Sequence, residues 1–159
     1  MAKEDALKLC RKLGLPDHII QHSIAVAEKA LEIAHQIQAA GHSIDLEIVE
    51  MGALLHDIGR VNARGLYHAA EGYKILREYG FPEAIARIAE THSLNPSWPT
   101  TIEEKIVCYA DKIIKGTQPL SVDDRFDIWI KRYGENDLLL TAKKNILKIE
   151  KELSKLLIH

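Results

Sequence analysis

Cysteine is scarce in this chain, which contains only Cys10 and Cys108. Two cysteines cannot form the disulfide framework of a small secreted domain, and without a Cys-x-x-Cys pair a structural zinc site is not indicated. No run of about eighteen uninterrupted apolar residues is present, so we do not expect a membrane-spanning helix. Residues 1–5 carry charges where a signal peptide requires an apolar segment. We therefore expect a cytoplasmic protein whose two thiols are reduced.

A strong charge of either sign is also missing. The formal net charge is −2, so no overall positive field points to binding of nucleic acid or of an acidic membrane. Hydrophobic residues make up 47% and charged residues 28% of the chain, which are ordinary values for a globular protein. With 159 residues, the chain is long enough for one domain with a substantial core, and we expect a single domain over 1–159.

Helical periodicity extends through almost the whole sequence, and convincing alternating strands are absent. Glycines, prolines and capping side chains divide the sequence into eight predicted helices. Their predicted bounds are 4–13, 16–40, 45–59, 67–79, 82–93, 101–114, 121–134 and 136–157. The expected fold class is an all-α bundle with a core over 17–115. The C-terminal helices over 121–157 either complete this bundle or form a homodimer interface.

Histidine is the unusual residue, with eight copies. Four histidines and two aspartates lie in or at the ends of successive predicted helices: His22, His56, Asp57, His68, His92 and Asp111. Both aspartates have apolar neighbours, and buried carboxylates are normally paired, hydrogen-bonded or bound to a metal. Imidazole and carboxylate groups are ligands for transition metals, and facing helices of a bundle can project them into one interior site. The pattern therefore indicates a metal site.

The ordered set of these residues resembles the HD superfamily of metal-dependent phosphohydrolases, and the segment "LLHDIGR" resembles its HDIG variant. The segments "HSIAVAEKALEIA", "HAAEGYKILREYG", "ETH" and "YADKI" follow in the family's order, and the resemblance spans about three fifths of the chain. It implies one or two divalent transition metal ions, of manganese, iron, cobalt, nickel or zinc. It also implies two ligand sets that share one aspartate: His22, His56, Asp57 and Asp111 in the first, and Asp57, His68 and His92 in the second.

The same resemblance implies a function. We expect hydrolysis of a phosphate ester or anhydride by metal-activated water, with Asp57 and Lys112 in catalytic roles. The expected substrate is a small phosphorylated metabolite of the nucleotide class. The motif layout most resembles bacterial enzymes that cleave dinucleoside tetraphosphates symmetrically. Those enzymes continue with Glu-Pro-Arg after the aspartate-lysine pair, whereas this chain continues with Ile113, Ile114 and Lys115.

Basic residues near the motifs are candidates for binding the phosphate groups of a substrate, because charge-assisted hydrogen bonds suit phosphate. The candidates are His18, Arg60, Lys112 and Lys115, with Arg64 and Arg125 as weaker ones. The other histidines, His35, His42 and His159, have no spacing that ties them to the predicted site, and we assign them structural or surface roles. Gly59 is interpreted as a helix stop or a close-packing position.

Three further interpretations stay open at this point. Some HD relatives use a related six-ligand di-iron set to activate oxygen on small organic substrates. Alternatively, the chain is a metal-loaded module that binds a nucleotide or a partner without turnover. The third interpretation is a purely structural helical domain, for which chelation would change nothing.

Overall fold

The helical bundle expected from the sequence is confirmed by a computed structural model, which describes residues 2–63, 67–94 and 98–158. Within these residues there are eight α-helices: α1 (Lys3–Lys12), α2 (Asp17–Ala39), α3 (Leu46–Leu55), α4 (His68–Glu78), α5 (Glu83–Thr91), α6 (Ile102–Lys112), α7 (Val122–Tyr133) and α8 (Asp137–Leu156). A 3₁₀ helix, Ile58–Val61, follows α3, and the antiparallel strands β1 (Ile114–Lys115) and β2 (Gln118–Pro119) follow α6.

Side-chain caps explain why several helices begin where the sequence predicts. The carboxylate of Asp45 accepts a hydrogen bond from the backbone N–H of Ile48 at 3.2 Å, at the start of α3. The hydroxyl of Thr101 accepts from the backbone N–H of Glu104 at 3.1 Å, at the start of α6. Such side chains replace the hydrogen-bond partners that the first N–H groups of a helix lack.

Two helix ends and one hairpin differ from the prediction. We expected the third helix to reach Gly59, but α3 ends at Leu55, and a turn and the 3₁₀ helix follow. We expected the sixth helix to reach Ile114, but α6 ends at Lys112 and Ile114 pairs with Pro119 in the hairpin. Strands of two residues are too short to show an alternating pattern, so the sequence does not reveal them. Residues 64–66 of the predicted 60–66 loop, and 95–97 of the expected break at 95–99, lie outside the described residues.

The core lies between α2, α3, α5 and α6, and the C-terminal helices pack onto it. Helix α3 is buried continuously over 51–55, and α2 packs along both α3 and α6. Helix α8 packs on α6 and α7 through one buried stripe: Leu139, Ala142, Ile146, Ile149 and Leu153. Its other face exposes apolar side chains such as Leu140 and Leu147, and the homodimer interface stays a prediction. Among the described helices, none combines the length and hydrophobicity required of a membrane span.

Candidate metal centre

The structure brings the six predicted ligand residues together in two overlapping groups. The first group is His22, His56, Asp57 and Asp111, and the second is Asp57, His68 and His92. Within each group, the potential ligand atoms lie within 4.8 Å of one another. The residues come from the second turn of α2, the turn after α3, the first turn of α4, the end of α5 and the end of α6. Five separate parts of the chain thus converge on one place, which is the arrangement that helical bundles use for metal sites.

Backbone carbonyl groups fix the orientation of two histidines in the first group. The Nδ1 atom of His22 lies 2.7 Å from the carbonyl oxygen of Gly116, and its Nε2 atom lies 2.9 Å from Oδ1 of Asp111. The Nδ1 atom of His56 lies 2.6 Å from the carbonyl oxygen of Ala53, and its Nε2 atom lies 3.2 Å from the same Asp111 oxygen. A carbonyl oxygen can only accept, so Nδ1 carries a hydrogen in both rings. In the neutral ring, the lone pair of Nε2 then faces the carboxylates.

The second group repeats this arrangement at His92. The Nδ1 atom of His92 donates to the carbonyl oxygen of Ala89 at 2.7 Å. Its Nε2 atom lies 3.2 Å from Oδ1 of Asp57 and 2.9 Å from Nε2 of His68. Two ring nitrogens and a carboxylate oxygen lie close enough together here to share a hydrogen or to bind a metal cation.

Asp57 lies between the two groups and presents one oxygen to each. Its Oδ1 atom lies 3.4 Å from Nε2 of His68 and 3.2 Å from Nε2 of His92. Its Oδ2 atom lies 3.3 Å from Nε2 of His56 and 3.9 Å from Nε2 of His22. This division of contacts is what a carboxylate bridging two ions requires.

Electrostatics shows that the cluster attracts positive charge. Burial alone would raise the pKa of Asp57 and Asp111, but neighbouring cationic groups, His56 for Asp57 and Lys112 for Asp111, hold the pKa of both well below the ordinary value. Burial would lower the pKa of His56, yet the two carboxylates outweigh it and raise that pKa to about 10. Burial lowers the pKa of His92, so this ring is neutral near pH 7. A divalent cation can replace the proton that His56 otherwise holds, and the nitrogen and oxygen donors fit a transition metal.

Lys112, which we expected to be catalytic and to contact substrate, lines the cavity beside the cluster but has its ammonium group bound inside the protein. Its side chain is 2% exposed. Its ammonium group donates to Oδ2 of Asp111 at 2.8 Å and to the backbone carbonyl oxygens of His92 and Cys108. Because Oδ2 of Asp111 is held by Lys112, Oδ1 faces the histidines. Lys112 therefore positions Asp111, a predicted metal ligand. Direct participation of Lys112 in the reaction stays a prediction.

A cavity of about 710 Å³ opens beside the cluster, a volume typical of small-molecule sites. His18 and Arg60 line it, and Nε of Arg60 lies 3.1 Å from Oδ1 of Asp57. Lys115 is exposed on β1 and is not among the lining residues. Arg64 lies outside the described residues.

The C-terminal helices supply one wall of the cavity, which the sequence did not predict. Their lining residues are Arg125, Trp129, Tyr133, Asn136, Leu138 and Leu139. Arg125 was only a weak candidate for binding phosphate, and Trp129 belongs to none of the motifs found in the sequence. The four-residue spacing between them was the available signal, because it places the two side chains on one helical face. The hydrogen bond between His22 and the carbonyl group of Gly116 was also not predictable from the sequence, because every residue type has a backbone carbonyl group.

Comparison with known proteins identifies the family. A family model described as "HD domain" matches residues 19–115. This chain belongs to the HD domain family. Within the described residues, the HD domain here contains the His56-Asp57 pair that gives the family its name. No solved structure matches the chain.

Several curated relatives are similar over nearly the whole chain. An uncharacterized protein of Methanocaldococcus jannaschii is 38% identical over 99% of both chains. A tRNA (cytidine(56)-2'-O)-methyltransferase of Thermoplasma volcanium is 34% identical over 96% of this chain but only 46% of its own length. A ribonuclease Y of Acidothermus cellulolyticus is 30% identical over 93% of this chain and 33% of its own length. The chain thus spans less than half of these two longer relatives.

Family membership sets the chemistry at a coarse level. HD domains bind divalent metals, and the His/Asp groups of this HD domain could hold them. The family also implies activity of the metal-dependent phosphohydrolase type.

Proposed function

We propose that this HD domain is a phosphohydrolase that holds two divalent transition metal ions and cleaves a phosphate ester or anhydride of a small nucleotide. The observation that supports this proposal most is the position of Asp57, which presents separate oxygens to the two ligand groups at the wall of a cavity large enough for a nucleotide. We assign His22, His56, Asp57 and Asp111 to one ion, and Asp57, His68 and His92 to the other.

The bound ions would lower the pKa of a water molecule and neutralise phosphoryl charge. The residues of the chain would supply the geometry. Nδ1 hydrogen bonds hold three of the imidazole rings with Nε2 directed into the cluster. Lys112 holds Asp111, and the guanidinium group of Arg60 lies at the cavity beside Asp57, where it can bind a phosphoryl oxygen. His18 lines the same cavity and is a second candidate for contacting the substrate.

The names of the longer relatives favour a second substrate class. The methyltransferase acts on tRNA and ribonuclease Y acts on RNA, by their names. An RNA phosphodiester contains the same bond type as a nucleotide ester, so the same ligand set could serve both. Against RNA, the formal net charge of −2 provides no overall attraction for a long polyanion.

A substrate screen with a matched mutant tests the proposal. The protein, loaded with manganese, iron or cobalt, would be incubated with nucleoside mono-, di- and triphosphates, dinucleoside polyphosphates and short RNA, and products separated by chromatography. We expect hydrolysis of small nucleotides by the wild type and a loss of more than about 100-fold in Asp57→Asn, because the bridging carboxylate is removed. The control Asp127→Asn, an exposed position on α7, should retain activity.

Other outcomes of this screen would identify the alternatives. Cleavage of RNA alone would support the second substrate class. Iron-dependent oxygen uptake without hydrolysis would indicate an oxygenase. Metal and nucleotide binding without turnover would indicate a binding module, and absence of metal from the reconstituted protein would contradict the proposal.

A further inference from the structure

Arg125 is a half-buried cation for which the described residues provide no counter-ion. It lies in the first half of α7, and its side chain lines the cavity. Its Nε atom is enclosed and has no hydrogen-bond partner among the described residues. No ion pair joins its guanidinium group to a carboxylate of those residues either. Asp57 and Asp111 lie near enough to raise its pKa by their charge, although burial outweighs them and lowers the pKa of Arg125 overall. The guanidinium group nevertheless stays protonated near pH 7.

The aromatic side chain of Trp129 holds this guanidinium group in place. The guanidinium carbon of Arg125 lies 4.5 Å from the centroid of the Trp129 ring. Trp129 in turn packs edge-on against Phe126, with ring centroids 5.0 Å apart, and Phe126 is completely buried. A cation stacked on a supported ring has a fixed position, which lowers the entropy lost when it binds a ligand.

The other buried or partly buried cations at the cavity have partners, and this contrast singles out Arg125. Lys112 is paired with Asp111, and Arg60 is paired with Asp57. An unpaired, partly desolvated charge destabilises the folded protein. Unpaired charges that destabilise the unliganded protein are common at binding sites, where a ligand provides the opposite charge. An anion that enters the cavity would supply this partner.

We propose that Arg125, held against Trp129, binds a phosphate group of the substrate from the wall of the cavity formed by α7. The proposal rests on the proposed function, since it assigns a residue for the phosphate of that substrate. The planar guanidinium group can offer two N–H groups to phosphoryl oxygens at once, which a lysine cannot do in the same geometry. Leu138 and Leu139, which line the same wall, leave an apolar surface for the remainder of a nucleotide.

Orthophosphate binding tests this role without relying on turnover. Isothermal titration calorimetry of the manganese-loaded protein would give the Kd of orthophosphate for the wild type, for Arg125→Met and for Arg132→Met. Arg132 is the matched control, because it also stacks on an aromatic ring of α7, at 5.2 Å from Tyr133, but is exposed and does not line the cavity. We expect Arg125→Met to weaken phosphate binding by about 10-fold or more, and Arg132→Met to leave it unchanged.

A stability measurement distinguishes binding from a structural role. Methionine keeps much of the apolar stem of Arg125 and removes its unpaired charge, so we expect the Tm of unliganded Arg125→Met to equal or exceed that of the wild type. A lower Tm with unchanged phosphate affinity would overturn the proposal. If this variant does not fold, Arg125→Lys replaces it, with phosphate binding weaker by about 3-fold or more expected and unchanged binding contradicting the proposal.

The two proposals fail in different ways. Unchanged phosphate affinity in Arg125→Met, with manganese and phosphate still bound, would overturn the role of Arg125 alone. Failure of the wild type to bind manganese, iron or cobalt would instead overturn the proposed function and this inference with it. Elemental analysis of each protein sample separates the two cases.

Discussion

At the residue scale, His56 and His92 owe their orientation to the helix ends on which they lie. Each is the residue that immediately follows a helix, α3 or α5, and each donates from Nδ1 to a carbonyl oxygen three residues earlier. The last carbonyl groups of a helix have no intrahelical partner. A histidine at this position satisfies one of them and, as a result, directs Nε2 into the cluster. The early end of α3 therefore has a function in orienting a ligand.

Replacing Lys112 should destabilise the protein strongly. Lys112→Met removes the partner of Asp111 and leaves a buried carboxylate without its cation. We expect the free energy of unfolding to fall by about 3–5 kcal/mol, measured by urea denaturation of the chelator-treated protein. Lys115→Met is the control, because Lys115 is exposed and its loss should change stability by less than about 0.5 kcal/mol. A similar small change in Lys112→Met would show that Lys112 does not hold Asp111.

Sequence analysis could propose the six ligand residues but not the residues that orient them. The ligands are chemically distinctive and follow in a recognisable order. The orienting groups are backbone carbonyls of Ala53, Ala89 and Gly116, which leave no trace in the sequence. The pairing of Lys112 with Asp111 was also not predictable, because a lysine beside a ligand can either bind its neighbour's carboxylate or remain free to bind a substrate.

At the element scale, the contact between the 3₁₀ helix and α4 depends on Gly59. A Cβ atom on Gly59 would lie 1.9 Å from the carbonyl oxygen of His68 and 2.6 Å from the backbone nitrogen of Gly72. Both neighbours are backbone atoms, which cannot move aside without moving α4. The interpretation of Gly59 as a close-packing position agrees with this geometry. The approach places the first turn of α4, and therefore His68, against the cluster.

Gly59→Ala should consequently disturb the second ligand group more than the first. We expect a loss of about 1–3 kcal/mol in the free energy of unfolding, the usual effect of overpacking. We also expect the bound metal to fall toward one ion per chain, measured by elemental analysis, because α4 must shift and carries His68. Retention of two ions with unchanged stability would contradict this account of the contact.

The starts and ends of the helices were predictable where capping side chains or glycines decide them. Gly14, Gly41 and Gly80, which follow α1, α2 and α4, all adopt positive φ, and capping side chains begin α3 and α6 as expected. The hairpin after α6 and the end of α3 were not predictable, because contacts between distant segments decide them. Ile114 continues an apolar helical pattern, yet tertiary packing places it in a strand.

At the scale of the whole molecule, the cavity is made by two parts of the chain. The region that matches the HD family model supplies the ligands, whereas α7 and α8 lie beyond it and supply further lining residues. Asn136 caps α8 and lines the cavity as well. We therefore expect differences in substrate between relatives to reside in this C-terminal part.

Chelation should reverse the pH dependence of stability. Without metal, the pKa of His56 is raised from 6.5 to about 10 in the folded protein. Protonated His56 therefore stabilises the folded state fully below pH 6.5, and this stabilisation is lost as the pH rises toward 10. With metal, the ligands must be deprotonated and binding tightens as the pH rises. Between about pH 7 and about pH 9, the Tm should fall in the chelator-treated protein and should hold or rise in the loaded protein. Parallel slopes in the two samples would contradict this.

Metal content tests the central claim most directly. Elemental analysis would be performed on wild type, His68→Ala and the exposed control His35→Ala, each purified without chelators and reconstituted with one metal. The account predicts about two ions per chain in the wild type and the control, and about one in His68→Ala, because only the second ligand group loses a member. One ion in all three proteins, or none, would contradict a site in which Asp57 joins two metals.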